Sequence, residues 1–318
     1  MEDIFNSKIF VTGGAGFVGS HVIEKLLTFQ PAKIIVLDNL LRGSFENMSS
    51  FSNNPIVEFI HDDMRNVDLL DKILPNVDYI FHLAALRITR CAENPVEAFS
   101  VMVEATSRLV EIAKKHGVKK IIYSSSASVY GMATVFPTTE SCPPYDNKTF
   151  YGAAKLFGEQ LLRSYSDMYG LKYVALRYFN IYGPRMDTEG KYTEVMIRWL
   201  DCIRDKSTPL IFGDGLTSMD FVYVEDVAEA NIKALLSDAS DEVFNVGFNR
   251  ETTLSELLKL LLKANDSELI PEFREERSVN SVRRRLADIS KAKALLKWEP
   301  RITLEDGLRS LSEWYFKK

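Results

Sequence analysis

The chain has 318 residues, 46% apolar and 26% charged, which is ordinary for a globular protein with a well-buried core. A net charge of -5 argues against a general nucleic-acid binder, although one local arginine cluster can still hold an anionic substrate. Three widely spaced cysteines, no basic leader and no apolar run of about 18 residues point to a reduced, cytoplasmic setting with no structural metal and no membrane partner.

In chain order, Ile9 to Thr12 reads as a short buried strand, and Phe17 to Phe29 as a helix that ends before Pro31. Lys33 to Leu37 is a second strand closing on Asp38, Val57 to Ile60 a third, and Tyr79 to Phe81 a fourth. A long helical stretch from Val96 to His116 stops at Gly117. The strand Lys120 to Ser124, the helix Tyr151 to Tyr169 and the strand Tyr173 to Leu176 follow. Short apolar strands alternating with helices predict an α/β fold with a doubly wound parallel sheet of the Rossmann type. After Tyr182 the loops lengthen, punctuated by Pro184, Gly190, Pro209, Gly213 and Gly215. Residues 1–182 are therefore expected to form a dinucleotide-binding domain, to which about 214–247 return. The rest of 183–318 reads as a smaller cap, with surface helices at Thr253 to Ala264 and Ile289 to Leu296.

The first strand runs directly into Gly13-Gly14-Ala15-Gly16-Phe17-Val18-Gly19 and then a helix. Gly13 suits a sharp turn, Gly16 a close approach by a pyrophosphate, and Gly19 a tight helix–strand contact. The helix N-terminus supplies free amides and a positive dipole end for phosphate. A glycine triplet alone is often only a turn; the strand before it and the helix after it give it weight. Asp38 ends the second strand about twenty residues further on, the distance at which a carboxylate meets the adenosine ribose. It would repel a ribose phosphate and so selects NAD. The plain alternative is a turn residue, and Arg42 nearby could soften the preference.

Tyr151 and Lys155 lie one turn apart on one face of a helix. A phenol ordinarily ionises near ~10. A neighbouring ammonium and a cationic nicotinamide ring both favour phenolate, which can take a hydroxyl proton as hydride leaves the same carbon. Such a pair is usually surface decoration. Here it follows a dinucleotide-binding half and a strand ending in Ser124-Ser125-Ser126-Ala127-Ser128, whose hydroxyls sit where parallel sheets bind ligands. The serines could also be a polar loop bonding its own backbone.

With these motifs in order, the chain resembles the extended short-chain dehydrogenase/reductase family, in particular its nucleotide-sugar epimerases. The resemblance rests on Val11 to Ser20, Asp38-Asn39-Leu40, Asp63-Met64-Arg65, His82-Leu83-Ala84-Ala85, Ser124 to Gly131, Tyr151 to Lys155, Arg177 to Pro184 and Asp220 to Val224. It implies a catalytic Ser126, Tyr151 and Lys155, with Lys155 also holding the nicotinamide ribose. It implies an NAD site made by Gly13, Gly16, Phe17, Val18, Gly19, Asp38, Asn39, Leu83, Ala84, Ala85, Ser124, Tyr151 and Lys155. Asp63 and Met64 would frame adenine, and Phe179 would wall the nicotinamide. The implied substrate is a nucleotide-diphosphate sugar, contacted by Ser126, Asn180 and an arginine; the implied assembly is a homodimer through paired long helices.

The sequence also departs from that family. Related dehydratases and decarboxylases carry an acid where this chain has Ala127 or Ser128, which favours epimerisation or C4 redox chemistry over dehydration. An arginine expected before Asp220 is Met219. Arg283, Arg284 or Arg285 could replace it, with Arg285 the best placed, or all three could be a solvated basic cluster. Glu104 and Ala105 stand where relatives tend to have Asn and Gly, and Leu86 to Ala92 is one residue short, so Arg87, Arg90 and Cys91 carry no assigned role. The leading reading is an NAD-dependent nucleotide-sugar 4-epimerase working through a 4-keto intermediate. Its alternatives are a C4 dehydrogenase or 4,6-dehydratase of the same fold, and a non-catalytic NAD-binding regulator, against which the intact Ser126, Tyr151 and Lys155 argue. Asp38 predicts that cofactor-free protein binds NAD at least ~10-fold tighter than NADP, about 1.4 kcal/mol. Equal affinities in a calorimetric titration would remove its assigned role.

Overall fold

A computed structural model describes residues 4–188, 194–275 and 282–318; the start of the N-terminal segment and Gly190 lie outside these residues. The first half alternates strands and helices. β1 (Lys8–Thr12) leads to α1 (Phe17–Leu27), β2 (Lys33–Asp38) to β3 (Val57–His61), and α2 (Val67–Ile73) to β4 (Tyr79–His82). Then come α3 (Ile88–Glu93), α4 (Pro95–Phe99), α5 (Ala105–Lys115), β5 (Lys120–Ser126), α6 (Phe150–Tyr169) and β6 (Lys172–Tyr178). The remainder holds β7 (Asn180–Tyr182), α7 (Val195–Arg204), β8 (Leu210–Phe212), β9 (Ser218–Tyr223), α8 (Val224–Leu236), β10 (Glu242–Val246), β11 (Glu251–Thr253), α9 (Leu254–Ala264), β12 (Glu272–Arg274) and α10 (Leu304–Lys317).

Seven strands form one parallel sheet in the order β3-β2-β1-β4-β5-β6-β10, the Rossmann architecture the alternation predicts. Period-two alternation sends Ile9, Val11, Ile34 and Val36 to one face, against α1 and α8. Phe10, Ile35 and Leu37 face the other, against α2 and the helices from α4 to α6. β10 pairs with β6, so this late strand completes the sheet. A third core gathers Trp199 and Leu200 of α7, Leu257 and Leu261 of α9, and Leu308 and Leu311 of α10 around Tyr223.

Two expectations are corrected. The stretch Val96 to His116 is not a single α-helix. Asn94 caps α4, its side chain accepting from the Glu97 amide at 3.1 Å, and Pro95 opens it. A π turn over Ser100–Glu104 then joins α4 to α5. The segment Ile289 to Leu296 is helical with Lys293 and Leu295 exposed, as a surface helix should be, but it packs beside α8 rather than on the cap. Ile289, Ala292, Leu296 and Trp298 are buried in the core beside α8, where the Trp298 indole donates to the Asp226 carbonyl at 2.9 Å. Burying these apolar side chains against the sheet's helical layer favours this placement.

Helix α6 is fixed with particular care. The Thr149 hydroxyl accepts from the Gly152 amide at 3.1 Å, and Gly170 ends the helix in the left-handed region at φ +69°. Along its buried face, Glu159 receives two bonds from Arg177 of β6, at 2.9 and 2.7 Å, and one from the Ser125 hydroxyl of β5. Both members of this ion pair are almost fully buried. Removing one would strand the other's charge in the interior, so the pair pins the helix to the sheet.

Candidate active site

The carboxyl ends of the central strands open into a cleft of about 980 Å³. The sequence-designated residues from Gly13 to Gly19 and from Asp38 to Met64 line it, as do Leu83 to Ala85, Ser124, Ser126, Tyr151, Lys155, Phe179, Asn180 and Arg285. The fold thus brings together residues as far apart in sequence as Gly13 and Arg285.

The glycine turn leaves room that any side chain would fill. Gly13 has φ +73°, and a Cβ there would lie 2.7 Å from the Ala84 nitrogen. A Cβ on Gly19 would lie 2.2 Å from the Gly13 carbonyl, and one on Gly16 3.1 Å from the same oxygen. Gly16 is the N-cap of α1 and brings no side chain to it, so the first helical amides, at Phe17 and Val18, stay open to the cleft. Such a turn fits a dinucleotide pyrophosphate.

Asp38 is buried at the end of β2, with Oδ2 accepting from the Ala15 amide at 3.0 Å and Oδ1 from the Leu40 amide at 2.9 Å. Burial pushes its pKa up, while the two amides oppose that. Each oxygen can accept again, which suits a ribose diol. Arg42, on the loop after β2, has its guanidinium 3.6 Å from Asp187. Asn39 donates to Asp63 at 2.8 Å, and Arg65 holds both Asp63 oxygens at 2.8 Å, which lowers that carboxyl to about 2. Asp63 therefore stays ionised and fixed in place.

Beneath Leu83 and Ala84, Thr12 and His82 form a buried hydrogen-bonded chain. Thr12 Oγ1 lies 2.8 Å from His82 Nδ1, and His82 Nε2 lies 3.0 Å from Thr106 Oγ1. Burial lowers His82 to about 3, so the imidazole is neutral. The chain fixes the backbone that the glycine turn abuts, because Ala84 donates to Thr12 Oγ1 at 3.2 Å.

Lys155 donates to the Ser124 carbonyl at 2.6 Å and the Ser124 hydroxyl at 3.2 Å, with Nζ 5.8 Å from the centre of the Tyr151 ring. Burial pulls its ammonium down to about 7. Burial raises the Tyr151 phenol, whereas a hydrogen bond with Ser126 and the charge of Arg42 favour its ionised form. Without a cofactor, Tyr151 is therefore a neutral phenol at pH 7, and a cationic group beside it would be needed to bring its pKa down.

Of the three consecutive arginines, only Arg285 lines the cleft. It donates to the Ala127 carbonyl at 2.5 Å, and burial lowers its pKa to about 10. Arg284 binds Glu251 through two 2.8 Å bonds and stacks on Phe136 at 4.4 Å, while Arg283 lies 4.0 Å from Asp214. Met219 packs against the third core. In the short segment after Ala85, Cys91 is buried 3.5 Å from the Met102 sulfur and Arg90 is bound to Glu97. Arg87 pairs with Asp187 at 3.3 Å. Arg185, Asp187 and Glu194 also line the cleft, and sequence reasoning gave them no role. They follow the Tyr-Gly-Pro turn, which was the only signal available for them.

The parallel sheet, the glycine cradle and a half-buried Tyr151 one turn from buried Lys155 define a dinucleotide-dependent enzyme. Residues 9–247 match the model of the NAD dependent epimerase/dehydratase family. A UDP-glucose 4-epimerase from Mycolicibacterium smegmatis is 34% identical over 316 residues, covering 98% of this chain and 99% of that one. The solved UDP-glucose 4-epimerase of Thermotoga maritima, with UDP-glucose, superposes with a TM-score of 0.91 at 37% identity, covering 98% and 99% of the two chains. A dTDP-glucose 4,6-dehydratase from Streptomyces venezuelae, solved with NAD, gives 0.90 at 28% identity over 98% and 97%. The chain belongs to the NAD dependent epimerase/dehydratase family and is an enzyme that uses NAD.

Lys155 sets a pH signature for the cofactor-free protein. Its folded pKa of about 7 lies below the ordinary 10.5, so in between the unfolded chain keeps a proton that the folded protein has released. The stability is complete above the unfolded value and is lost as pH falls toward the folded one. Cys91, raised from 9.0 to about 11, acts in the opposite sense above pH 9. Between about pH 7 and 9, urea unfolding should therefore show stability rising with pH, and Lys155→Met should flatten that slope. An unchanged slope in the variant would remove Lys155 as its source.

Proposed function

We propose that the protein interconverts nucleotide-diphosphate sugars that differ in configuration at C4, with UDP as the nucleotide, through a 4-keto sugar. The observation that carries this reading is the placement of Tyr151 and Lys155 on one face of α6, beside Ser126, in the cleft of the glycine turn. NAD bound there would accept hydride from C4 and return it. The phenolate of Tyr151 takes the C4 hydroxyl proton and gives it back on the return step. Lys155 holds the nicotinamide ribose and, protonated once a phenolate forms beside it, balances that charge, while Ser126 orients the sugar oxygen. Phe17 and Val18 amides meet the pyrophosphate, Asp38 and Asn39 the adenosine ribose, and Asp63 and Met64 the adenine. Leu83 to Ala85, Ser124 and Phe179 enclose the remainder of the cofactor. Arg285 and Asn180 take the sugar diphosphate; a half-buried guanidinium resting on the Ala127 carbonyl at the cleft wall suits an anion. In this reading residues 1–182, with 214–247, bind the cofactor, and most of 183–318 binds the sugar nucleotide.

Tyr151→Phe tests the reading. Turnover should fall by roughly 10²–10⁴-fold while NAD affinity is kept, because the glycine turn and Asp38 are untouched. Ser126→Ala should cost less, since it removes one hydrogen bond rather than the proton acceptor. Near-wild-type turnover in Tyr151→Phe would reject the mechanism. A keto sugar accumulating with no 4-epimer, by nuclear magnetic resonance of the products, would promote the dehydrogenase alternative.

A homodimer is part of the same proposal. Val96 and Phe99 of α4 are exposed at 82% and 53%, and Phe157 of α6 at 36%, so neighbouring helices carry apolar side chains into solvent. Light scattering at micromolar concentration should give twice the monomer mass, and a single-chain mass would count against pairing.

A further inference from the structure

Three loops from three strands meet at the cleft. Arg42 lies on the loop after β2, Arg87 on the loop after β4, and Asp187 on the loop after β7. The Asp187 carboxylate lies 3.6 Å from Arg42 Nε and 3.3 Å from an Arg87 terminal nitrogen. The two guanidinium groups repel each other, and Glu194 adds a second negative charge facing Arg42. Arg42 also acts on the Tyr151 phenol, so the cluster reaches from the cofactor loop to the reacting end of the cleft.

Exposed ion pairs are generally weak, because two long side chains lose freedom to meet. Here the backbones on both sides are already fixed. The Ser44 amide and the Asn47 side chain both donate to the Ala15 carbonyl, at 3.1 and 3.0 Å, folding the Arg42 loop onto the glycine turn. The Asp187 loop is held on α1 by Arg185–Glu24 at 2.5 Å and by the 3.1 Å contact between His21 Nε2 and the Pro184 carbonyl. Arg185 sits in the left-handed region at φ +70° within that loop. Arg87 follows buried Leu86 and is the N-cap of α3. Side-chain exposures of 17% for Arg87 and 25% for Asp187 place their pair largely out of water.

We propose that Arg42, Asp187 and Arg87 form an ion-paired clasp across the cleft that slows release of the dinucleotide. Asp187 is a positioning residue: it holds two like charges together and thereby joins the cofactor loop to the sugar-side loop. The clasp depends only on dinucleotide binding. The need for it rests on the proposed epimerisation, in which the reduced cofactor must stay until it has given its hydride back.

The test reads dissociation with no sugar present. NADH is bound to the full-length protein, and its fluorescence is followed after displacement by excess NAD. Asp187→Asn is expected to speed release roughly tenfold, and Asp187→Glu to restore most of the wild-type rate. Arg42→Ala should also speed release, and adding it to Asp187→Asn should change little further, because one unit is already broken. Release from wild type should accelerate with salt. Unchanged release in Asp187→Asn would overturn the clasp. So would effects of Arg42→Ala and Asp187→Asn that simply multiply, since Arg42 would then act on the cofactor alone. If Asp187→Asn does not fold, the wild-type salt dependence decides, and a salt-independent rate overturns the proposal. Product analysis with sugar nucleotides is separate, so the epimerase reading and the clasp can fail independently.

Discussion

Seven parallel strands impose the constraint on which everything else depends. Parallel neighbours cannot be joined by tight hairpins, so each return crosses a face of the sheet, and all carboxyl ends emerge along one edge. Thr12, Leu37 and His82 lie level in the register, so the loops after β1, β2 and β4 begin at the same height. The order of the sheet reverses direction at β1, with β2 on one side and β4 on the other. At such a switch point the following loops part and leave a crevice. The glycine turn enters that crevice because Gly13 can approach the Ala84 backbone closely. A larger residue would push apart the two loops that define it.

The proposed chemistry then requires one helix to be held at one rotation. Tyr151, Lys155 and Glu159 are spaced by four, so fixing one fixes the others. Glu159 is the fixed point, bound by Ser125 of β5 and Arg177 of β6. Lys155 is one turn nearer the strand ends, where its ammonium reaches Ser124, and Tyr151 is one turn further, inside the cleft. The buried ion pair therefore has a positional consequence. A packed apolar contact could match its stability but would allow the helix more freedom to slide or roll.

The sequence carried the sheet, the glycine turn, Asp38 and the Tyr/Lys pair because each is encoded within a few residues of itself. Period two and period 3.6 are local signals, and so is a glycine that only a tight turn requires. What escaped is long-range. The pairing of Arg42 with Asp187 joins residues from opposite halves of the chain, and no spacing announces it. The segment from Ile289 to Trp298 has an apolar pattern that is legible, but its partner, α8, is set by the tertiary fold. The π turn over Ser100–Glu104 leaves no periodic trace because it displaces the pattern by about one residue. It ends at Glu104, next to Ala105, and Val101 of the turn lines the cleft.

The proton inventory of the cleft bears on which reaction such a site performs. Dehydration of a 4-keto sugar needs two further groups, one to take a proton from C5 and one to give a proton to the departing hydroxyl. The resemblance to dehydratases places such an acid at residues 127 and 128, which here are alanine and serine. The Ala127 side chain is buried and its carbonyl is taken by Arg285, so this stretch offers backbone and hydroxyl but no carboxylate. Tyr151 is a phenol whose ionisation is opposed by burial and favoured by Ser126 and Arg42. One reversible acid–base group suffices when the same proton leaves and returns at the same oxygen. In the proposed C4 epimerisation the sugar would turn between two hydride transfers, and Tyr151 would do the same work in both directions.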